Sequence, residues 1–317
     1  MRRLFRISVP QEFDGERLDR VVPALTDEIS RTALRKIVDL GGVHVEGRRV
    51  RTCSKVVLPG WKIEIHLDGL PLTPFRLRDE HIIYRDRYLL VIDKPPGVDT
   101  QPTHARYKGT LYEALKVFLQ DPSRPHARPS LGMVQRLDRD TSGAMVFSTH
   151  PRAHKGLTRC FAERLTEKLY LALVEGAPEQ DVGEIRSMLA RERKSNRVKT
   201  VPAGGKDAVT RFRVRERFSS ACLLEVEIPT GRSHQIRAHM AESGHPLVGD
   251  ALYGGPQRLA GEAVGRQMLH AARLAFPHPV TGEYLAFEAP LCPDMSRALE
   301  ACRNDLQGPE PSAKDPS

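Results

Sequence analysis

Cysteine is scarce and unpatterned in this chain. Cys53, Cys160, Cys222, Cys292 and Cys302 are odd in number, and no two stand at the spacing of a zinc knuckle, so neither a disulfide framework nor a cysteine metal site is expected. Long apolar runs are missing too. No window approaches the roughly 18 apolar residues of a membrane helix. The opening Met-Arg-Arg-Leu-Phe-Arg lacks the apolar stretch of a signal peptide. The expectation is a cytoplasmic monomer without membrane contact.

What is abundant is positive charge. Lys and Arg number 49 against 40 acids, a net charge of +9, and the basic residues cluster rather than spread. That balance calls for a polyanionic partner, most simply nucleic acid, with phosphate contacts dominating affinity. At 317 residues, 40% hydrophobic and 28% charged, the chain suits a soluble protein with one large core and a smaller module.

Ser30 precedes a helical pattern with Leu34, Ile37 and Val38 on one side, and Gly41-Gly42 stops it. Residues 43–46 alternate apolar and polar, Gly47-Arg48 turns the chain, and residues 61–65 alternate again after Pro59-Gly60, which predicts a short helix followed by a hairpin. Between residues 31 and 55 this unit carries seven basic residues (Arg31, Arg35, Lys36, Arg48, Arg49, Arg51, Lys55) against two acids, Asp39 and Glu46. Charge runs are usually solvated faces, but so one-sided a run favours RNA. The stretch 17–67 resembles the small RNA-binding module first known from ribosomal small-subunit protein four, in which a basic helix face and a hairpin grip structured RNA. A proline-containing linker follows at 71–79.

Beyond it, residues 82–84 and 88–93 read as strands, 111–119 as a helix, and 170–174, 209–214 and 223–228 as further strands. Helices are interleaved without strict alternation, so an α+β domain around a mixed, largely antiparallel sheet is expected. Residues 191–199, with Gly204-Gly205-Lys206 after them, read as a mobile basic loop facing RNA, with a solvated hairpin tip the equal alternative on charge alone. The polar, proline-containing segment 303–317 reads as a disordered tail.

Gln135-Arg136-Leu137-Asp138-Arg139-Asp140-Thr141-Ser142-Gly143 sets a carboxylate among arginines before an apolar run. An Asp close to Arg keeps its charge and can attack or stabilise an electrophilic carbon. From these nine residues alone, a loop salt bridge of Asp138 or Asp140 with Arg136 or Arg139 is the better reading. Thr230-Gly231-Arg232-Ser233-His234-Gln235-Ile236-Arg237-Ala238-His239 follows a strand; Ser233 can cap a helix running to Gly244, bringing Arg232 and Arg237 together as an anion site. His234, His239 and His245 lack a completing Cys or carboxylate pattern, so solvent or RNA contact is expected for them rather than metal.

The ordered set Arg136 through Gly143, Lys168-Leu169-Tyr170-Leu171-Ala172, Thr230 through His239, Gly249-Asp250 with Tyr253-Gly254, and Leu269-His270-Ala271 with His278-Pro279 and Thr281-Gly282-Glu283 resembles the RluA-type RNA pseudouridine synthases. The likeness covers about 79–293 and implies a pseudouridine-synthase-like catalytic domain at 80–302, preceded by the RNA-binding module at 1–70. It implies Asp138 as the catalytic carboxylate, Tyr170 as the ring that stacks on the target base and a candidate to take the C5 proton, and Arg237 as the partner of Asp138. Arg136 would occupy the space of the displaced nucleotide. Arg232, His234, Arg31, Arg35, Lys36, Arg48 and Arg49 complete the expected RNA contacts. One position departs from the family pattern: its usual His before Arg136 is Gln135 here.

Uridine isomerisation breaks an N1–C1′ bond, rotates the base and forms a C5–C1′ bond. It needs neither redox chemistry nor phosphate transfer, so no cofactor or metal is implied. Large-subunit ribosomal RNA is the expected substrate, with transfer RNA second. Two rivals stand beside this reading. Asp138 and Asp140 could share a divalent cation in a transferase, although no phosphate-cradling Gly-Lys loop accompanies them. Alternatively, the chain could be a non-catalytic RNA-binding or ribosome-assembly protein.

Overall fold

The structure, a computed structural model, describes residues 3–192, 195 and 197–307. By their internal contacts the residues group into two units, 1–79 with 97–129, and 80–96 with 130–317.

The first unit is built on β1 (Arg3–Ser8), α1 (Leu18–Leu25), α2 (Arg31–Leu40), β2 (Val43–Val45), β3 (Arg48–Arg49) and β4 (Lys62–Leu67), with the strands in the antiparallel order β1-β4-β2-β3. Ser30 caps α2, its hydroxyl accepting from the Ala33 N–H at 3.2 Å, and Gly41 ends the helix at φ 92°. The inward stripe of α2 (Leu34, Ile37, Val38) packs with Leu18, Val21 and Val22 of α1 and with Val43, Val45, Ile63 and Ile65 of the sheet. Each such side chain fully buried contributes about 1.5–3 kcal/mol.

Two local readings shift. The hairpin turns at Glu46 and Gly47, φ 49° and 71°, rather than at 47–48, because a two-residue turn needs left-handed backbone at both positions. Strand β1 and helix α1 precede the elements the pattern revealed. Pro23 inside α1 hides its periodicity, and β1 finds its partner β4 only across some sixty residues, Arg3 opposite Leu67.

The expected linker and domain border also move. Residues 97–129, assigned by sequence to the catalytic part, group with the first unit and contribute α3 (Leu111–Phe118). Arg106 is the physical reason. Its guanidinium pairs with Asp68 (Nε to Oδ2, 2.7 Å) and donates to the carbonyls of Pro71 at 2.9 Å and Thr73 at 3.1 Å, so the 71–79 segment is tied into this unit.

The second unit contains β5 (Ile82–Arg85), β6 (Leu89–Lys94), β7 (Gly132–Met133), β8 (Ser142–Ser148), α4 (Pro151–Ala162), β9 (Glu167–Glu175), β10 (Val182–Arg191), β11 (Val198–Val201), β12 (Lys206–Arg217), β13 (Ala221–Glu227), α5 (Gln235–Glu242), the small hairpin β14 (Arg258–Leu259) and β15 (Glu262–Ala263), β16 (Leu269–Pro277), β17 (Tyr284–Glu288) and α6 (Pro293–Gln307). Eleven strands form one sheet along the path β11-β10-β12-β13-β9-β16-β8-β6-β5, with β17 beside β16 and β7 beside β8. Among the described residues only β8 and β16 run parallel, so the mixed, largely antiparallel sheet is as expected. Gly143 permits that junction: at φ 110°, a Cβ there would sit 2.3 Å from the Ala271 carbonyl oxygen.

Two segments expected to be irregular are partly regular. Arg191 ends β10 and Val198-Lys199 begin β11, so the basic loop is the tip of a strand hairpin; Arg193, Lys194 and Asn196 lie outside the described residues. Helix α6 continues through residues 303–307, because Met295, Ala298, Leu299 and Cys302 bury one face of it, and the rest of the expected tail lies outside the described residues. Among the described residues no helix is long and apolar enough to cross a membrane.

Candidate active site

Asp138 sits in the irregular segment joining β7 to β8, and that segment is held by two cations. The Lys94 ammonium, wholly buried, donates to the carbonyls of Arg139 and Thr141 at 2.8 Å each and of Pro95 at 2.9 Å. From the other side, Arg266 donates to the Asp140 carbonyl at 2.9 Å while it pairs with Asp294 through Nε at 2.6 Å and Nη2 at 2.9 Å. The Thr141 N–H closes a turn on the Asp138 carbonyl at 3.1 Å. A charge out of water is tolerable only when fully hydrogen-bonded, so each cation fixes the loop that satisfies it.

The local salt bridge suggested by the nine-residue segment forms for Asp140 and not for Asp138. Arg136 donates to the Ser233 hydroxyl at 2.5 Å and Arg139 pairs with Asp140 at 3.3 Å. Asp138 instead pairs with Arg237, 99 residues away: Nη1 donates to Oδ2 at 2.8 Å. The two acids therefore take different arginine partners, Asp138 with Arg237 and Asp140 with Arg139. Asp138 Oδ1 has no hydrogen bond to the described residues, and the side chain keeps 22% of its surface exposed.

Arg237 projects from α5 and is anchored before it reaches Asp138. Its Nε and Nη2 donate to the two oxygens of buried Asp250 at 2.6 and 2.8 Å. Burial works against the guanidinium charge, but the hydrogen bonds and field of Asp250, joined by Asp138, outweigh it and raise its pKa. The turn leading into α5 is shaped by Gln235, whose side-chain carbonyl accepts from the Thr230 hydroxyl at 2.8 Å and the Arg232 N–H at 3.0 Å.

That turn corrects the expected cap. The helix starts at Gln235 and stops at Glu242, with His234 at the cap position in left-handed conformation (φ 51°), while Ser233 spends its hydroxyl on Arg136. His239 is corrected as well. It is fully buried and bonded to the hydroxyls of Ser187 at 2.9 Å and Thr210 at 2.8 Å, so it braces the sheet and meets no solvent. His245 does lie near the surface, 3.1 Å from the Glu175 carbonyl. His234 faces the site, its Nε2 3.7 Å from Asp138 Oδ2 and its Nδ1 3.1 Å from the Tyr253 hydroxyl. Burial lowers its pKa, with Asp138 opposing.

Tyr170 comes from β9, between β13 and β16, and only 7% of it is exposed. Its phenol is pushed well above the ordinary value, first by burial and then by the Asp138 charge. It borders a cleft of about 430 Å³ whose wall also includes Met133, Gln135, Arg136, Asp138, Phe161, Lys168, Ile228 and Arg232. Burial also lowers the pKa of Lys168, with Arg164 and Arg232 adding to the effect. The Gln135 amide nitrogen is sealed from solvent without a hydrogen-bond partner among the described residues. Arg232 donates to the Asp207 carbonyl at 2.9 Å. Apolar walls, two aromatic rings and convergent cationic groups suit an everted base with its phosphates.

Of the residues expected at the site, Asp138, Tyr170, Arg237, Arg136, Arg232 and His234 come together. Arg31, Arg35, Lys36, Arg48 and Arg49 belong to the first unit. Arg35, Lys36 and Arg48 are exposed there, and Arg31 is half engaged with Asp19 at 3.0 Å. Arg49 turns inward, donating to the Thr103 carbonyl and stacking on Tyr107 at 5.5 Å, so it is not the open phosphate contact expected. Lys94, Asp250 and Arg266 escaped the sequence reading as parts of the site. The Gly249-Asp250 motif was the one available signal for any of them.

The profile of the RNA pseudouridylate synthase family matches residues 88–242. An uncharacterised RNA pseudouridine synthase of Bacillus subtilis is 35% identical over 302 residues, covering 94% of this chain and 98% of that protein. Ribosomal large subunit pseudouridine synthase D of Pseudomonas aeruginosa is 34% identical over 94% of this chain and 96% of its own. Among solved structures, human RNA pseudouridylate synthase domain containing 1 aligns at a TM-score of 0.52 with 25% identity, covering 77% of this chain and all (100%) of that one. Human RNA pseudouridylate synthase domain containing 4 shares the fold at a TM-score of 0.58, covering 70% and 92%. With a relative 35% identical along nearly its whole length, and three of the family motifs contributing to the walls of one cleft, the chain belongs to the RluA-type RNA pseudouridine synthases and is an isomerase that converts uridines in RNA to pseudouridine.

Proposed function

We propose that this synthase acts on large-subunit ribosomal RNA and that Asp138 is its catalytic carboxylate. Support for the substrate comes from the names of several relatives, among them ribosomal large subunit pseudouridine synthases D of Neisseria meningitidis and Xanthomonas campestris, 35% and 36% identical over 94% of this chain. The observation that carries the site is the Asp138–Arg237 pair at 2.8 Å on the wall of the cleft, with one carboxylate oxygen left for the nucleoside.

In this reading the target uridine leaves its stack, at a cost of a few kcal/mol offset by stacking on Tyr170 and by cationic contacts. Asp138 meets the nucleoside while Arg237 holds the carboxylate in place. The N1–C1′ bond breaks, the uracil turns within the closed space, and C5 bonds to C1′. The C5 proton then leaves and N1 ends protonated. The raised pKa of Tyr170 keeps its phenol protonated, so stacking is the role its chemistry favours over taking the C5 proton. Arg136 and Arg232 at the cleft, with Arg35, Lys36 and Arg48 of the first unit, supply phosphate contacts.

The test is a map of pseudouridines across all RNAs in cells with and without the gene, rescued by wild type or Asp138→Asn. The expected result is one or more large-subunit sites lost on deletion and restored only by wild type. Sites confined to transfer RNA would overturn the substrate, and full rescue by Asp138→Asn would overturn the catalytic assignment.

A further inference from the structure

Three histidines far apart in sequence meet in the first unit, and none of them is assigned above to the reaction. His44 lies on β2, His66 on β4 and His104 on the loop before α3. Their ring centroids are 5.1, 5.4 and 5.4 Å apart, and each ring offers one nitrogen such that the three nitrogens lie within 4.8 Å of one another. We propose that His44, His66 and His104 form a site for a divalent transition metal ion, zinc first, that fastens the 97–129 segment to the sheet of the RNA-binding unit.

Three observations support the assignment. The Nε2 of His66 is sealed from solvent and has no hydrogen-bond partner among the described residues; the Glu64 carboxylate stands 3.7 Å away. A buried polar nitrogen left unmatched costs free energy, and a metal bond would remove that cost. The Nε2 of His44 lies 3.1 Å from the His104 carbonyl, the backbone partner that commonly orients a metal-binding imidazole through its other nitrogen. A cavity of about 350 Å³ bordered by His66, His104, Asp68, Asp99 and Thr103 gives an ion a way in.

The donor set selects the ion. Imidazole nitrogens suit zinc, copper or nickel rather than magnesium or calcium, and zinc accepts three of them with a fourth position for water or a carboxylate such as Glu64. At zinc–nitrogen distances of about 2.0–2.1 Å the nitrogens would stand roughly 3.3 Å apart. His104 is the exposed member of the three, so its ring has the room to turn and close the remaining gap. The ion would be structural, since nothing in the isomerisation calls for one.

The experiment uses full-length protein without a polyhistidine tag, stripped with chelator. Zinc is titrated in competition with a chromophoric chelator, and cobalt is used to read tetrahedral geometry from visible absorption. One equivalent should bind and raise the thermal midpoint. His66→Gln and His104→Gln should each weaken binding by roughly 100-fold or more and abolish the thermal shift. His104 is exposed, so its variant carries the test if His66→Gln fails to fold. Absence of stoichiometric zinc binding, or wild-type affinity in His104→Gln, would overturn the site.

Discussion

Asp250 grips Arg237 through both of its carboxylate oxygens, at 2.6 and 2.8 Å, so the guanidinium plane is set before it meets Asp138. Removing one partner of a buried pair leaves an uncompensated charge, which costs about 3–5 kcal/mol. Asp250→Ala should lower stability by that order, measured by denaturant unfolding. Arg237→Lys keeps the charge but cannot serve two carboxylates in a fixed fork. It should lower kcat far more than it raises KM, read by tritium release from C5-labelled RNA.

Lys94 makes a second prediction because two of its acceptors, the carbonyls of Arg139 and Thr141, belong to the Asp138 loop and a third, that of Pro95, ties the ammonium to its own strand end. Lys94→Met keeps the volume but strands those carbonyls, at about 1–3 kcal/mol for each left unsatisfied. Turnover should fall sharply while RNA affinity in filter binding stays near wild type. Unchanged turnover would mean that the loop is held by other contacts.

The ring and the hydroxyl of Tyr170 should separate. Tyr170→Phe retains the stacking surface, whereas Tyr170→Leu loses it, at about 1–3 kcal/mol of base affinity. With its pKa raised above the ordinary 10.0 by burial and Asp138, the phenol stays neutral through roughly pH 6–9, so no Tyr170 titration should shape kcat/KM across that range. A basic limb lost in Tyr170→Phe would show that the phenol titrates in catalysis.

Acid should act through buried histidines. His234, His239 and His270 all have pKa values below the ordinary 6.5, with burial the largest cause for each. Their contribution to stability is intact above pH 6.5 and is lost as pH falls through the lower folded values, because the unfolded chain then binds more protons. The thermal midpoint should therefore drop on acidification, and less steeply in His239→Gln. Protonated His234 would compete with Arg237 for Asp138, so His234→Gln should flatten the acid limb of kcat.

The basic residues of the first unit should not behave alike. Arg35→Ala with Arg48→Ala removes two exposed charges and should reduce the slope of log affinity against log salt by about 2, leaving turnover at saturating RNA nearly intact. Arg49→Ala should instead lower the unfolding midpoint, because Arg49 is spent on Thr103 and Tyr107.

The α+β class, the capped helix at 31–40, the hairpin after it and the motif residues of the Asp138 cleft, Arg136, Asp138, Tyr170 and Arg232, were legible in the sequence because each is written in neighbouring residues. A cap needs a hydroxyl three positions from an N–H, a turn needs two residues, and a family motif is a short ordered string. Tertiary structure alone decided who pairs with whom. It gave Asp138 to Arg237 rather than to the arginines on either side, buried Lys94 and His239, turned Arg49 inward and gathered His44, His66 and His104. Such pairings join residues from about twenty to 99 positions apart, and their choice depends on which polar groups are left unmatched once the sheet has formed. No local pattern records that remainder.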